Sequence, residues 1–303
     1  MKVAVLLATY NGEKYIHYFL DSLVEQNYKE FELIVRDDGS TDNTMKIINS
    51  YSNRLRITTL NADERLGAAK SFIRLLLEVK GNFDCYMFAD QDDYWHLDKI
   101  HRAQEKLTQQ DSSFPVMYFA GLELVDSSLS HISFPPGPRI ISLNNALVEN
   151  VATGCTIALN KIARNLVIEN LPRQITMHDW WFYIIFSALG KIVYDNYAAL
   201  KYRQHAGNAV GAATSTFHDL TRRTKRFFSK NSSGVFSISD QAEEFYRCFG
   251  SFLSAHEIKL VKELVNGKKT LFGRIGLTAS SDFVRQKNID TFILRIIFLL
   301  GRF

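Results

Sequence analysis

The chain has 303 residues, of which 46% are hydrophobic and 22% are charged, so it resembles an ordinary globular protein in composition and is long enough to bury a full core. This length favours one catalytic domain with an appendage over an array of repeats. The three cysteines, Cys85, Cys155 and Cys248, are widely spaced and odd in number, which excludes a disulfide framework and cysteine metal-ligand spacing. A reducing, cytoplasmic setting is therefore expected.

No apolar run in the sequence is long enough to cross a bilayer. The N-terminal run is interrupted at Thr9, which makes it too short for a signal peptide, and the run from Phe292 to Leu300 contains Arg295. We therefore expect a protein that is not integral to a membrane, with peripheral attachment to its inner face left open.

Charge is distributed unevenly along the chain. Residues 1–215 carry 21 Lys and Arg against 24 Asp and Glu, whereas residues 216–303 carry 15 against 8. A basic tail with apolar patches suits an anionic membrane surface, whereas a nucleic-acid-binding protein more often has basic stripes on its main domain. We predict a catalytic domain over 1–215, a basic helical extension over 216–303 and no nucleic-acid partner. A plain helical cap on the catalytic domain is the alternative for the extension.

The first elements in chain order form a β-α-β unit. A near-continuous apolar run over Lys2–Ala8 predicts a buried parallel strand, which ends at Thr9-Tyr10-Asn11-Gly12. Apolar residues between Ile16 and Val24 recur at steps of three and four and predict an amphipathic helix, and 31–35 predicts the second strand.

Polar residues follow the next strands at the same predicted edge. Asp37 and Asp38 end the second strand, where open α/β sheets place ligands, so Asp38 could accept from a nucleobase or a ribose, or serve only the turn. A third strand over 55–60 precedes Arg65, which could hold a phosphate at a helix start or be ordinary solvated surface. The sequence contains no Gly-x-Gly-x-x-Gly after its first strand and no P-loop, so metal and side chains must hold any phosphate.

The densest acidic stretch follows the fourth strand, within Tyr86–Trp95. Asp90, Asp92 and Asp93 lie within four positions of each other. Carboxylates at positions i and i+2, here Asp90 and Asp92, can converge on one Mg²⁺ or Mn²⁺ ion that completes its shell with phosphate oxygens and water. An acidic turn that caps the helix starting near Leu97 is the alternative.

Two later segments carry further candidates. A strand is expected over 151–159, in which Gly154 indicates either close approach by a ligand or a bulge. Asp179 opens an apolar helix beside His178 and two tryptophans, where aromatic surroundings suit a general base, although an N-cap is the alternative. After a strand over 192–194, Arg203 and His205 could brace a phosphate, His205 could instead be a metal ligand, and a glycine-containing loop could close over the donor.

Together these motifs are similar to those of family 2 of the inverting glycosyltransferases, of the bacterial cell-surface polysaccharide type that includes rhamnosyltransferases. The matching segments are Ala8-Thr-Tyr-Asn-Gly, Val35-Arg-Asp-Asp-Gly-Ser-Thr-Asp-Asn-Thr, Phe88-Ala-Asp-Gln-Asp-Asp and His178-Asp-Trp-Trp. The resemblance implies the GT-A fold, which is an α/β fold with a doubly wound, mostly parallel sheet, here followed by a C-terminal helical extension. Many relatives have Glu-Asp where this chain has His178-Asp179, which leaves the role of position 178 open.

By this resemblance, Asp179 would be the catalytic base, Asp90 and Asp92 would bind the divalent cation, and Tyr10 and Asp38 would hold the base and ribose. The full set of substrate-binding candidates is Thr9, Tyr10, Asn11, Asp38, Arg65, Asp90, Gly154, Trp180, Arg203 and His205. The expected reaction moves a sugar from a dTDP- or UDP-linked donor to a hydroxyl of a growing, lipid-linked glycan. The alternatives are a non-catalytic nucleotide- or lipid-binding subunit of an envelope assembly and a nucleotidyltransferase.

Overall fold

A computed structural model of the protein describes residues 1–205 and 237–303. The chain divides into two compact units. The first comprises Met1–Gly137, Asn150–Leu171 and Met177–Arg203, and the second comprises Pro138–Glu149, Pro172–Thr176 and Gln204–Phe303. The predicted boundary at residue 215 lies outside the described residues and stays a prediction.

Within the described residues, the first unit is built on one nine-stranded sheet. Its strands are β1 (Val3–Thr9), β2 (Phe31–Asp37), β3 (Ile57–Leu60), β4 (Cys85–Ala89), β5 (Tyr94–Trp95), β6 (Val116–Val125), β7 (His131–Ser133), β8 (Ala158–Asn160) and β9 (Lys191–Arg203). Their order is β3-β2-β1-β4-β8-β6-β9-β5, and β7 pairs with β6. Along this path only β8 and β5 run against the others, so the expected mostly parallel sheet is confirmed.

The helices alternate with the early strands and then dominate the second unit. They are α1 (Ile16–Glu25), α2 (Thr44–Ser50), α3 (Ala68–Glu78), α4 (Lys99–Thr108), α5 (Leu143–Ala146), α6 (Lys161–Glu169), α7 (His178–Leu189), α8 (Ile238–Phe249), α9 (Ala255–Gly267), α10 (Leu271–Ala279) and α11 (Asn288–Leu300). Elements α5 and α8 to α11 belong to the second unit. The predicted C-terminal helices are therefore present.

The register of the parallel strands brings their polar ends together. Thr9 pairs with Asp37 between β1 and β2, and Leu7 pairs with Ala89 between β1 and β4. The strands themselves are almost wholly buried, because helices cover both faces of a doubly wound sheet. The residues that follow each strand are consequently the ones that reach one shared edge.

Two strand predictions differ from the structure. The expected strand over 151–159 is wrong for most of its length, since Gly154–Thr156 forms a 3-10 turn and only β8 is extended. The short strand predicted over 192–194 grows to thirteen residues in β9, because β9 pairs with the long β6 along almost its whole length.

The second unit has its own helical core. Serine residues at positions 237 and 254 form capping boxes with Asp240 and Glu257 at the starts of α8 and α9. Its fully buried side chains include Phe245, Phe249, Val261, Leu264, Leu294 and Phe298. In the parts of the chain that the structure covers, no helix has the length and hydropathy needed to cross a membrane.

Candidate active site

The acidic loop after β4 forms a compact cluster of possible metal ligands. One oxygen each of Asp90 and Asp93 and the sulfur of Cys155 all lie within 4.8 Å of one another. Asp93 is completely buried, whereas Asp90 is half-buried. Asp92 was predicted as a ligand together with Asp90, and the structure adds Asp93 and Cys155, which sequence reasoning did not assign.

Burial and mutual repulsion disfavour the ionised form of the carboxylates in this cluster. Burial raises the pKa of Asp90 to about 7, with further increases from the nearby charges of Asp92 and Asp179. Burial, followed by Asp92 and Asp90, raises the pKa of Asp93 well above its usual range. Carboxylates held together in this way fit a hard divalent cation, whose charge would favour their ionised form, although the thiol is a softer donor than such an ion prefers.

Lys99 is a buried cation behind the acidic loop. Its ammonium group donates to the Cys155 carbonyl oxygen at 2.6 Å and lies 3.8 Å from the centre of the Trp95 ring. Burial lowers the pKa of Lys99 to about 8, and the nearby acids oppose that shift. Lys99 was not predicted, because in the sequence it is one lysine at the start of an amphipathic helix.

Arg203 braces the acidic loop from the end of β9. Its Nε donates to the Asp92 carbonyl oxygen at 2.9 Å, and its backbone N–H donates to Asp93 Oδ1 at 3.4 Å. The guanidinium also lies over the rings of Tyr15 and Tyr18, at 4.5 and 4.8 Å from their centres. The side chain is 1% exposed and is held by protein atoms, and its predicted phosphate contact stays a prediction.

Gln91 joins the acidic loop to the end of β1. Its Oε1 accepts from the backbone N–H of Tyr10 at 3.0 Å and from the Thr9 hydroxyl, and its Nε2 donates to the Tyr10 carbonyl oxygen at 3.0 Å. This clamp brings the predicted residues Thr9 and Tyr10 beside Asp90. The sequence signal was weak, because a glutamine between two aspartates looks like part of a polar turn.

Asn11 turns away from this clamp toward the loop after β2. Its backbone N–H donates to Ser40 Oγ and its Oδ1 accepts from the Thr41 N–H, both at 2.9 Å. Asn11 has a φ of 45°, a left-handed conformation that asparagine tolerates better than most residues. The structure thus shows Asn11 holding two loops together, and its predicted substrate contact stays a prediction.

Asp38 fixes the loop that carries Arg65. Its carboxylate accepts from Arg36 Nη1 at 2.6 Å and from the N–H groups of Leu66 and Gly67 at 2.7 and 2.8 Å. Burial would raise the pKa of Asp38, but these hydrogen bonds outweigh it and hold the pKa below its usual range. The Arg65 guanidinium then lies 3.9 Å from the centre of the Tyr10 ring, so Tyr10, Asp38 and Arg65 are brought together as predicted candidates.

Asp179 lies in the first turn of α7 and faces the acidic loop. Burial raises the pKa of Asp179 to about 6, against hydrogen bonds from the Trp180 and Gly154 N–H groups and the Asn150 side chain, which lower it. The Trp180 N–H lies 2.7 Å from Asp179 Oδ1. Because its charge raises the pKa of Asp90, Asp179 belongs to the same electrostatic site. A carboxylate that titrates near neutral pH is suited to accept a proton.

Gly154 is packed against the start of α7. A Cβ atom at this position would lie 2.7 Å from His178 Nε2 and 3.6 Å from Asp179 Cβ. In this structure the close neighbour of Gly154 is the His178 side chain. Any contact between Gly154 and a ligand stays a prediction.

His178 is a neutral packing residue in the described structure. Its ring lies among Phe72, Phe88 and Phe182, with the Phe72 ring centre 4.1 Å away. Burial lowers the pKa of His178 to about 3, and neither ring nitrogen has a hydrogen-bond partner among the described residues. The imidazole therefore adds no charge beside Asp179.

Trp180 and His205 are the last two predicted substrate-binding residues. Trp180 is half-buried and follows Asp179 directly on α7, while His205 is the last described residue before the gap and belongs to the second unit. The glycines at 207 and 211, on which the predicted closing loop depends, lie outside the described residues. The roles of Trp180 and His205 stay predictions.

Comparison with known proteins identifies the family. The model of glycosyl transferase family 2 matches residues 4–166. The dTDP-rhamnosyl transferase RfbG of Shigella flexneri is 32% identical over 227 residues, which cover 69% of this chain and 75% of that protein. The poly(ribitol-phosphate) beta-N-acetylglucosaminyltransferase TarS of Staphylococcus aureus is 33% identical over 173 residues, which cover 56% of this chain and 29% of that protein.

Solved structures support the fold. The structure of residues 1–349 of S. aureus TarS in complex with UDP-GlcNAc has a TM-score of 0.55 to this chain at 18% identity, and the match covers 100% of this chain and 93% of that one. The α/β fold with C-terminal helices that the sequence predicted is thereby confirmed. The family match spans β1 to α6, including the acidic loop and the Asp38 loop. The chain therefore belongs to glycosyltransferase family 2 and is a glycosyltransferase.

Proposed function

We propose that this enzyme moves a sugar from a nucleoside-diphosphate donor to an acceptor hydroxyl in one displacement that inverts the anomeric carbon. Asp179 accepts the proton of the attacking hydroxyl, and the hydroxyl oxygen forms the new bond as the bond to the diphosphate breaks. The observation that supports this most strongly is a carboxylate with a pKa near 6 in the same electrostatic site as the acidic loop.

The acidic loop is the proposed site of a divalent cation, Mg²⁺ or Mn²⁺. Asp90 and Asp92 would hold it, with Asp93 as a further ligand or as a buried brace. Bound there, the ion would offset the negative charge of the leaving diphosphate. Arg203 holds the loop through the Asp92 carbonyl oxygen, and Lys99 holds the Cys155 backbone beside it, so the carboxylates are arranged before a donor arrives.

The donor is proposed to be dTDP- or UDP-linked. RfbG, which matches 69% of this chain, is named a dTDP-rhamnosyl transferase, and TarS has been solved with UDP-GlcNAc. Tyr10, Asp38 and Arg65 would form the nucleoside end of the site, since the Arg65 guanidinium already lies over the Tyr10 ring. In this arrangement Asp38 acts mainly by fixing the loop, because four protein donors already occupy its oxygens.

The acceptor is proposed to be a growing cell-surface glycan linked to a lipid, which would place the reaction at the inner face of the cell membrane. The name of TarS, a poly(ribitol-phosphate) beta-N-acetylglucosaminyltransferase, supports a polymeric acceptor, and the basic C-terminal region supports a lipid surface.

A panel of nucleotide sugars with Mn²⁺ or Mg²⁺ tests this function. Each donor is incubated with the full-length enzyme and a candidate acceptor glycan, and the released nucleoside diphosphate is measured. One donor should give acceptor-dependent release that is lost when EDTA removes the ion. Full release in the presence of EDTA would refute the metal assignment, and a binding-only protein would give no release with any donor.

A further inference from the structure

The last two helices of the second unit expose an unusually large apolar surface. The exposed side chains are Leu271, Phe272 and Ile275 on α10 and Ile289, Phe292, Ile296, Leu299 and Leu300 on α11. Phe272 is 87% exposed and Phe292 is 59% exposed. On each helix the positions recur mainly at steps of three and four, so they form one stripe along it. Exposed apolar patches of this kind mark an interaction surface.

The opposite face of each of these helices is buried. The exposed stripe is therefore a second apolar face, distinct from the face that packs in the core. Leu294, Ile297 and Phe298 of α11 and Leu277 of α10 point into the second unit. The two helices are joined where the Thr278 hydroxyl donates to the Arg295 carbonyl oxygen at 3.3 Å. Both helices are therefore anchored by one apolar face while the other remains exposed.

A basic cavity adjoins the stripe on α11. It has a volume of about 300 Å³, and its lining contains Arg139, Arg285, Arg295 and Phe292 but no acidic residue. Gln286 holds one wall of the cavity, accepting from the Arg139 N–H at 2.7 Å and donating to the Ile140 carbonyl oxygen at 2.7 Å. The Nε of Arg295 is buried and has no hydrogen-bond partner among the described residues. Three guanidinium groups around a preformed cavity suit a phosphate group.

The charge of the surrounding chain is complementary to an anionic surface. Residues 268–303 contain seven lysines and arginines against two aspartates. Helix α11 has 13 residues and is about 20 Å long at the usual helical rise, which is shorter than the apolar thickness of a bilayer. Such a helix can lie in the plane of the membrane interface but cannot cross it.

We propose that the stripes of α10 and α11, together with the arginine cavity, form a docking surface for an anionic phospholipid bilayer. Phe272 and Phe292 enter the boundary between headgroups and acyl chains, and the arginines hold lipid phosphates. This deepens the proposed function, which requires access to a lipid-linked acceptor, but it is tested without turnover. A second copy of the chain is the competing occupant, and it fits less well because two surfaces of the same positive charge would face each other.

Vesicle flotation with the full-length protein tests the proposal. Vesicles of phosphatidylcholine and phosphatidylglycerol in equal amounts should carry the protein, and vesicles of phosphatidylcholine alone should carry much less. The double variant Phe272→Ser, Phe292→Ser should bind vesicles at least about tenfold more weakly, because each aromatic side chain that enters the bilayer contributes substantially to partitioning. The double variant Arg139→Gln, Arg295→Gln should lose roughly tenfold or more on anionic vesicles, since each basic group near the surface adds to the attraction.

Phe252→Ser is the matched control, because Phe252 is 55% exposed in the same unit but lies outside both helices. It should float like the unmodified protein. Thermal stabilisation by dTDP or UDP should be the same in all variants, which separates loss of docking from loss of folding or of the donor site.

Unchanged flotation of the phenylalanine double variant would overturn the proposal, as would equal flotation on the two kinds of vesicle. A dimer in solution that the same variant dissolves, without flotation of either protein, would assign the surface to a second copy instead. Absence of sugar transfer would bear on the proposed reaction and would leave the flotation result standing.

Discussion

Replacing Asp179 with asparagine separates its chemical role from its structural cost. Asn keeps an oxygen that can accept from the Trp180 and Gly154 N–H groups, but it cannot take a proton from an acceptor hydroxyl. A positioned general base typically contributes about 10²–10⁴ in rate, so turnover should fall by about that factor while nucleotide binding is retained.

The raised pKa of Asp179 also predicts how kcat/KM depends on pH. The pKa of Asp179 is raised from 3.8 to about 6 in the folded protein, so the proton-accepting form is lost as pH falls below about 6. The unmodified enzyme should therefore gain kcat/KM as pH rises through about 6. The residual activity of Asp179→Asn should lack that rise.

The raised pKa of Asp179 also predicts that removing its charge stabilises the folded protein. A carboxyl group whose pKa is raised on folding destabilises the folded state once it ionises, and this effect is complete above the folded pKa and absent below the unfolded one. After allowance for partial exposure, the cost at pH 7 is of order 2 kcal/mol. Asp179→Asn should thus be more stable than the unmodified enzyme at pH 7, by up to about that amount, and lose its advantage near pH 4.

Steady-state kinetics between pH 5 and pH 8 and urea unfolding at pH 7 and pH 4 measure both effects. Glu105→Gln makes the same change from carboxylate to amide at an exposed position of α4 and should leave rate and stability unaltered. Retained turnover in Asp179→Asn would refute its role as base. A large loss of stability at pH 7 would refute the argument from burial.

Three further predictions concern the surroundings of the site. Asp38→Asn leaves the Arg36 guanidinium without its anionic partner and should lower the free energy of unfolding in urea at pH 7 by about 3 kcal/mol. Because the pKa of Asp38 is lowered on folding, the stabilisation by Asp38 in the unmodified enzyme should disappear as pH falls through the folded pKa. Gly154→Ala should destabilise by about 1–3 kcal/mol through its clash with His178, and adding His178→Ala should recover part of the loss; strictly additive effects would contradict this. Mn²⁺ should raise the melting temperature of the unmodified enzyme and not that of Asp90→Asn, and an equal rise in both would remove Asp90 from the metal site.

The early fold could be predicted because its signals are local. Helix α1 has apolar residues at helical steps, and β1 and β4 are continuous apolar runs, so each element is visible in a short window of sequence. The meeting of Tyr10, Asp38 and Arg65 followed from a general rule, since parallel strands joined by helices present their carboxyl ends at one edge.

The roles of Lys99 and Gln91 could not be predicted because their hydrogen-bond partners are distant in sequence. Lys99 meets the Cys155 carbonyl oxygen 56 residues away, and Gln91 clamps the backbone 81 residues before it. The strand prediction over 151–159 was wrong for a similar reason. The backbone turns at Gly154, and the Gly154 N–H donates to Asp179. Because Asp179 lies on α7, the local pattern of apolar residues does not reveal this contact.

The anomeric configuration of the product is the most direct test of a single displacement assisted by Asp179. Once the donor panel has identified a substrate, proton NMR of the purified product gives the configuration of the new linkage from its coupling constants. The proposed mechanism predicts the configuration opposite to that of the sugar in the donor. A product with the donor's own configuration would contradict it.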